Sequence, residues 1–151
     1  EEAVISLLSN PVFMEWSIHG VYTADDARNV LRHDVEEQAE RGFSKYAVID
    51  KSTGHIVGYC GISVMEVEGM MLRETGYRLL PEARGRGIAT EATSAVIRDG
   101  FDRCNLPSID AIVEPGNLPS IRILDVFEFE FQRIVEVKER KWRYYRLKRP
   151  A

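Results

Sequence analysis

A chain of 151 residues, 44% apolar and 29% charged, has the makeup of an ordinary globular protein and the size to fold as one domain, residues 1–151, around a single core. A net charge of −4 argues against non-specific nucleic-acid binding by the whole domain, and no apolar run approaches a membrane span. Glu1 and Glu2 stand where a secretory leader would be basic, and Cys60 and Cys104 fall in no metal or CxxC spacing, as expected of reduced thiols in a cytoplasmic protein.

Residues 1–9, EEAVISLLS, read as a short helix stopped by Asn10-Pro11. TADDARNVLRHDVEEQAERG (23–42) is the clearest helix: Thr23 caps it, Asp25 and Asp26 suit its positive end, and Gly42 stops it. Its apolar stripe is Ala27, Val30, Leu31, Val35 and Ala39. The hydrophobic period then shortens to two. KYAVID (45–50) is a strand, KSTG a turn, HIVGYCGISV (55–64) a second strand, and EVEGM turns into a third, LRETGYRLL (72–80). Residues 88–103 return to helix, IDAIVE (109–114) to strand, and NLPSIRILDVF (117–127) is a short helix with Asn117 as cap and Pro119 in its first turn. FQRIVEV and WRYYRLK close the chain as strands. The order α-α-β-β-β-α-β-α-β-β, a meander followed by β-α-β, predicts an α/β fold with a mixed sheet.

Charge is uneven. Residues 138–151, KERKWRYYRLKRPA, hold seven Lys/Arg against one Glu, a local +6, which leaves −10 on the other 137 residues. The basic end suits an acidic partner or a phosphate; its interleaved aromatics equally suit a solvated strand. The acidic body would steer a cationic ligand.

The stretch PEARGRGIATEA (81–92) places two arginines and two glycines where a helix begins. A helix start leaves N–H groups unpaired and carries partial positive charge. Gly85 and Gly87 let such N–H groups turn inward, and Arg84 and Arg86 add cationic donors, which together describe a phosphate or pyrophosphate site. It is not the GxxxxGK[ST] loop, and as GRGIA after three meander strands it is not the dinucleotide fingerprint.

ETGYRLLPEARGRGIATEA resembles motif A of the GCN5-related N-acetyltransferases, closest to the branch containing the bacterial ribosomal-protein N-terminal acetyltransferases. That family reads [Q/R]-x-x-G-x-[G/A] here, matched by Arg84, Gly87 and Ala89, and NLPSIR supplies the branch's later N-x-x-S-x-R through Asn117, Ser120 and Arg122. AVIDKSTGHIVGYCGI is similar to its second and third strands and YYRL to its last, so the resemblance covers nearly the whole chain. Three features differ. The family opens on a strand before its first helix, whereas this chain begins at the helix; Glu128-Phe129 stands where a Gly-Phe pair is usual; and Leu124 stands where many relatives place a general-acid tyrosine.

The resemblance implies acetyl transfer from acetyl-CoA to a primary amine, a protein N-terminus or a small molecule, with dimerisation common. The loop Arg84, Gly85, Arg86, Gly87, Ile88, Ala89 and Thr90 would hold the pyrophosphate of coenzyme A, with Asn117 contacting the coenzyme. A backbone N–H near Leu79 would polarise the thioester, and Ser120 would protonate or bind near the leaving thiolate. Glu74, on the central strand ahead of Gly76 and Tyr77, is the best candidate base or water-positioning group, and Trp16, Tyr22, Met70 and Met71 are candidates for the acceptor wall. Plainer roles exist for each: Asn117 as a helix cap, Ser120 bonding within the first turn, Glu74 facing solvent or an arginine, the four large residues as core. Cys60 reads as core rather than an acetyl carrier. No metal is needed, and His19, His33 and His55 have no ligand spacing. Two other functions fit the residues less fully: a coenzyme A-binding regulatory module without catalysis, and a phosphate-ligand protein unrelated to coenzyme A.

Overall fold

A computed structural model describes residues 1–151. The elements are α1 (Glu2–Leu8), α2 (Ala24–Arg41), β1 (Lys45–Asp50), β2 (His55–Val67), β3 (Met70–Leu79), a 3-10 turn (Pro81–Ala83), α3 (Ile88–Asp102), β4 (Ser108–Val113), α4 (Leu118–Val126), β5 (Glu130–Val137) and β6 (Arg140–Lys148). The predicted order holds. One six-stranded sheet runs β1-β2-β3-β4-β6-β5, antiparallel throughout except where β3 meets β4 in parallel.

Strand alternation sends neighbouring residues to opposite faces. Tyr59 joins Leu7, Leu8, Phe13, Met14 and Ala27 beneath α1 and α2. The next residue, Cys60, joins Ile62, Val96, Phe101 and Leu124 beneath α3 and α4. The sheet is therefore covered on both sides, and a cleft through it connects two separately walled spaces.

Local chemistry explains most boundaries. Thr23 Oγ1 accepts the Asp26 N–H at 3.2 Å and Gly42 ends α2 at φ +80°. Glu68 and Gly69 both sit at positive φ, +48° and +78°, in a two-residue hairpin turn. That turn lets β2 and β3 extend to Val67 and Met70, beyond the predicted ends at 64 and 72. Met70 and Met71 are consumed by the longer hairpin: Met70 packs beside Val67, Leu72 and Trp142, and Met71 is exposed, so neither walls an acceptor site.

Two further expectations are corrected. The α2 stripe buries Ala27, but Val35 and Ala39 are exposed, and Glu37, paired with Arg41 at 2.7 Å, is buried instead. The cause is length: α2 has 18 residues against seven in α1, so its second half outruns the helix it packs on. The basic end is not a solvated strand. β6 lies between β4 and β5 and buries Trp142, Tyr144 and Tyr145, and its arginines serve the fold: Arg146 pairs with Asp110, Arg140 with Glu114, and Arg143 lies over the Phe131 ring.

After α4 the chain turns through Glu128 at φ +62° and buries Phe129. The left-handed geometry that a glycine would adopt freely is thus kept with a glutamate in place, at a cost set by the clash of its Cβ with the backbone. Glu128→Gly is expected to raise stability by about 1 kcal/mol and the melting temperature by about 3 °C, as read by urea and thermal unfolding.

Candidate functional site

The site is made by a failure of pairing. β3 and β4 are neighbours in the sheet, yet they register only at Glu74↔Asp110. Asp110 seals the closed end. Its buried carboxylate accepts Tyr144 Oη and Arg146 Nε at 2.8 Å each on Oδ1, and the Arg73 N–H at 3.1 Å on Oδ2. Beyond that point the strands part around a cavity of about 500 Å³, lined by residues 74–78 on one side and 111–114 on the other.

Backbone direction follows from the ladder. Leu80 donates to the Val57 carbonyl on β2, whereas Arg73 donates toward β4. The period of two, unbroken along this stretch, turns the N–H groups of Tyr77 and Leu79 toward β4 as well. There β4 has moved away, so these donors face the cleft.

Side chains alternate in the same way. Tyr77 points to the α3–α4 face, where the Ser120 hydroxyl donates to its Oη at 3.2 Å. Burial raises the Tyr77 phenol above its ordinary value. Leu124 is buried in the core, so α4 offers no phenol, and β3 supplies one instead. Asn117 caps α4, its Oδ1 accepting the Ser120 N–H at 3.4 Å, and also lines the cavity.

Glu74 points to the α1–α2 face. A Cβ on Gly76 would lie 3.3 Å from Glu74 Oε1, so the bare glycine leaves room for the carboxylate to lean along the strand. No ion pair involves Glu74. Burial pushes its carboxyl up to about 7, with Lys45 and Arg78 pulling the other way. Trp16 and Tyr22 line this side of the cavity. So do His19, Lys45, Tyr59 and Arg78, none of which the sequence marks as part of a site. Alternation alone puts Arg78 on the face of Glu74; placing Lys45 and Tyr59 needs the β1–β2 register.

The loop after β3 is a ring of donors. Gly85 and Gly87 adopt φ +70° and +78°, with open space where a Cβ would stand. Six consecutive N–H groups, Gly85 through Thr90 and including Ile88 and Ala89, have no acceptor in the protein. The arginines brace this shape: Arg84 Nε donates to the Leu79 carbonyl at 3.1 Å, and Arg86 pairs with Asp50 at 2.7 Å, holding that carboxyl far below the usual range. Both therefore hold the loop as well as lending it charge.

A larger hollow, about 730 Å³, lies between β1 and α3, but its one ion pair, Asp50–Arg86, is already formed and its walls are mostly apolar. Cys60 borders it, its thiol raised by burial to about 11, which leaves little thiolate for chemistry at neutral pH.

Residues 1–130 match the family profile described as an acetyltransferase (GNAT) domain. An uncharacterised N-acetyltransferase, p20, of Bacillus licheniformis is 32% identical over 114 residues, 76% of this chain and 64% of its own length. The chain thus spans under two thirds of that relative. Among solved structures, a ribosomal-protein-alanine N-acetyltransferase from Brucella melitensis superposes with TM-score 0.73 at 18% identity, covering 97% of this chain and 93% of its own. A GNAT-superfamily phosphinothricin acetyltransferase from Sinorhizobium meliloti, solved in complex with AcCoA, gives 0.73 at 16% identity over 98% and 84%. At such identities the structural likeness speaks for the fold.

The Glu74 environment has a consequence for stability. An unfolded glutamate ionises near 4.3, below the folded value of about 7, so between these the folded protein holds the extra proton. Stability is therefore lost as pH rises through that window and levels off above it. Glu74→Gln is expected to be more stable than the parent by about 1–3 kcal/mol at pH 8, with the gain vanishing toward pH 4.5, in paired urea titrations.

Proposed function

Because the chain belongs to the GNAT acetyltransferase family, we propose that it is an N-acetyltransferase moving an acetyl group from acetyl-CoA to a primary amine by direct attack in a ternary complex. The observation that carries this reading is the run of six unpaired N–H groups, Gly85 to Thr90, at the start of α3 beside the parted strands. Converging N–H groups at a helix start suit a pyrophosphate, and the cleft beside them suits an extended thiol arm. The structural neighbour solved with acetyl-CoA supports the choice of donor.

Each step then has a group in place. The acceptor ammonium enters from the α1–α2 face and gives a proton to Glu74, directly or through one water. Its nitrogen attacks the thioester carbon, and the N–H groups of Tyr77 and Leu79 stabilise the developing oxyanion. The carbon–sulfur bond breaks as the tetrahedral centre collapses, the thiolate takes a proton from Tyr77, and the second proton of the amine nitrogen leaves to water as the amide forms, with water later returning a proton to the Tyr77 phenolate. Ser120 donates to the Tyr77 oxygen, which leaves the phenolic hydrogen free to point at sulfur and steadies the phenolate that follows. Ser120 thus acts with Tyr77 rather than alone. Holding both substrates at one opening in the sheet supplies the remaining advantage.

The test is release of coenzyme A thiol from acetyl-CoA across a panel of primary amines. Turnover should rise with pH through about 7 as Glu74 ionises. Glu74→Gln should lower kcat/KM by about 10²–10⁴-fold. Tyr77→Phe should lower kcat by about tenfold with little change in the KM for acetyl-CoA. Acetyl-CoA binding without thiol release for any amine would overturn the catalytic reading and favour a coenzyme-binding regulatory module.

A further inference from the structure

The acceptor wall around Glu74 carries two cations that form no ion pair with a carboxylate of the protein. Arg78 lies on β3 directly opposite Tyr59 of β2, and its Nε donates to Tyr59 Oη at 2.8 Å. That bond fixes the guanidinium plane and leaves both terminal nitrogens without a protein partner. Lys45, on β1 opposite Gly61, reaches across so that its ammonium lies 5.3 Å from the centre of the Tyr59 ring. Neither cation belongs to any ion pair of the protein, whereas seven other arginines do. Both line the same cavity as Glu74. Asp34 and Glu74, in the same cavity, offset part of the Lys45 charge, whereas the terminal nitrogens of Arg78 keep no acceptor, which an anionic guest would supply.

Spacing joins this pair of cations to the base. Glu74, Gly76 and Arg78 share one face of β3, and the Glu74 carboxylate leans over Gly76. From Gly76 to Arg78 is two residues, roughly 7 Å along the strand. A molecule with its amine at Glu74 and an anionic group one or two carbons away spans that interval.

We propose that the acceptor is a small amino acid-like molecule whose carboxylate is held by the terminal nitrogens of Arg78, with Lys45 adding charge and Tyr59 setting the guanidinium in place. The inference rests on the acetyltransferase reading and narrows its acceptor. It also reverses what bulk charge suggests: the −10 body would steer a cation, but the lining selects a zwitterion. A planar fork facing a carboxylate makes two charge-assisted bonds, which an uncharged carboxamide cannot reproduce.

The experiment compares L-leucine, L-methionine and L-phenylalanine with their carboxamides. Binding to the protein loaded with coenzyme A is measured by calorimetry, and turnover with acetyl-CoA is measured on the same panel. Acids are expected to bind at least tenfold tighter than their amides, with kcat/KM ordered the same way. In Arg78→Gln the ratio should fall to within about twofold of one, and in Lys45→Met it should fall partway. Coenzyme A binding by each variant reports that it is folded. Acid and amide binding equally in the parent would overturn the proposal, as would a preference that survives Arg78→Gln. Turnover without an acid preference contradicts this inference alone; an acid preference in binding without turnover contradicts the catalytic reading alone.

Discussion

The parting of β3 from β4 is the feature on which the rest of this molecule depends. Two parallel neighbours in a covered sheet would ordinarily pair along their length, because an unpaired buried backbone group is costly. Here they register at one position, and Asp110 bridges them below it through its carboxylate. The ion pair with the partly exposed Arg146 and the Tyr144 hydroxyl hold that carboxylate still. Closure is thus carried by a side chain at one end of the strands, and the other end stays open with donors facing inward.

An opening through a two-faced sheet has a chemical use. The faces are chemically different because strand alternation sends Glu74 to one and Tyr77 to the other. A carboxyl raised by burial therefore lies across the opening from a hydroxyl pair, with backbone N–H groups between them. In the proposed reaction, proton removal and proton delivery would therefore fall on separate sides of the sheet. The donor loop sits at the mouth because β3 runs straight into it through the short Pro81–Ala83 turn.

Much of this was legible in the sequence. Periodicity matches the element order, and the glycines beside a helix start mark a loop whose N–H groups have no acceptor in the protein. Other features needed distance information. Nothing local in SIDAIV marks Asp110 as the seal, because its partners come from β3 and β6. Leu124 marks a missing hydroxyl on α4 but gives no sign that Tyr77 meets Ser120 across 43 positions of chain. Val35 and Ala39 followed the helical period faithfully and are exposed all the same, because the period says which residues share a face and not how far the neighbouring helix extends. The basic end is hard to read for a related reason: two of its seven cations, Arg140 and Arg146, pair with acids that only the fold brings near.

The most direct test of the account is a map of backbone amide resonances during titration with acetyl-CoA. Tyr77, Leu79 and the stretch from Gly85 to Thr90 are expected to shift together and saturate at one ligand per chain. Amides in the hollow between β1 and α3, such as those of Val48 and Ala95, should stay in place. Shifts confined to that hollow, with the β3–β4 opening unmoved, would contradict the claim that the parted strands are where the coenzyme binds.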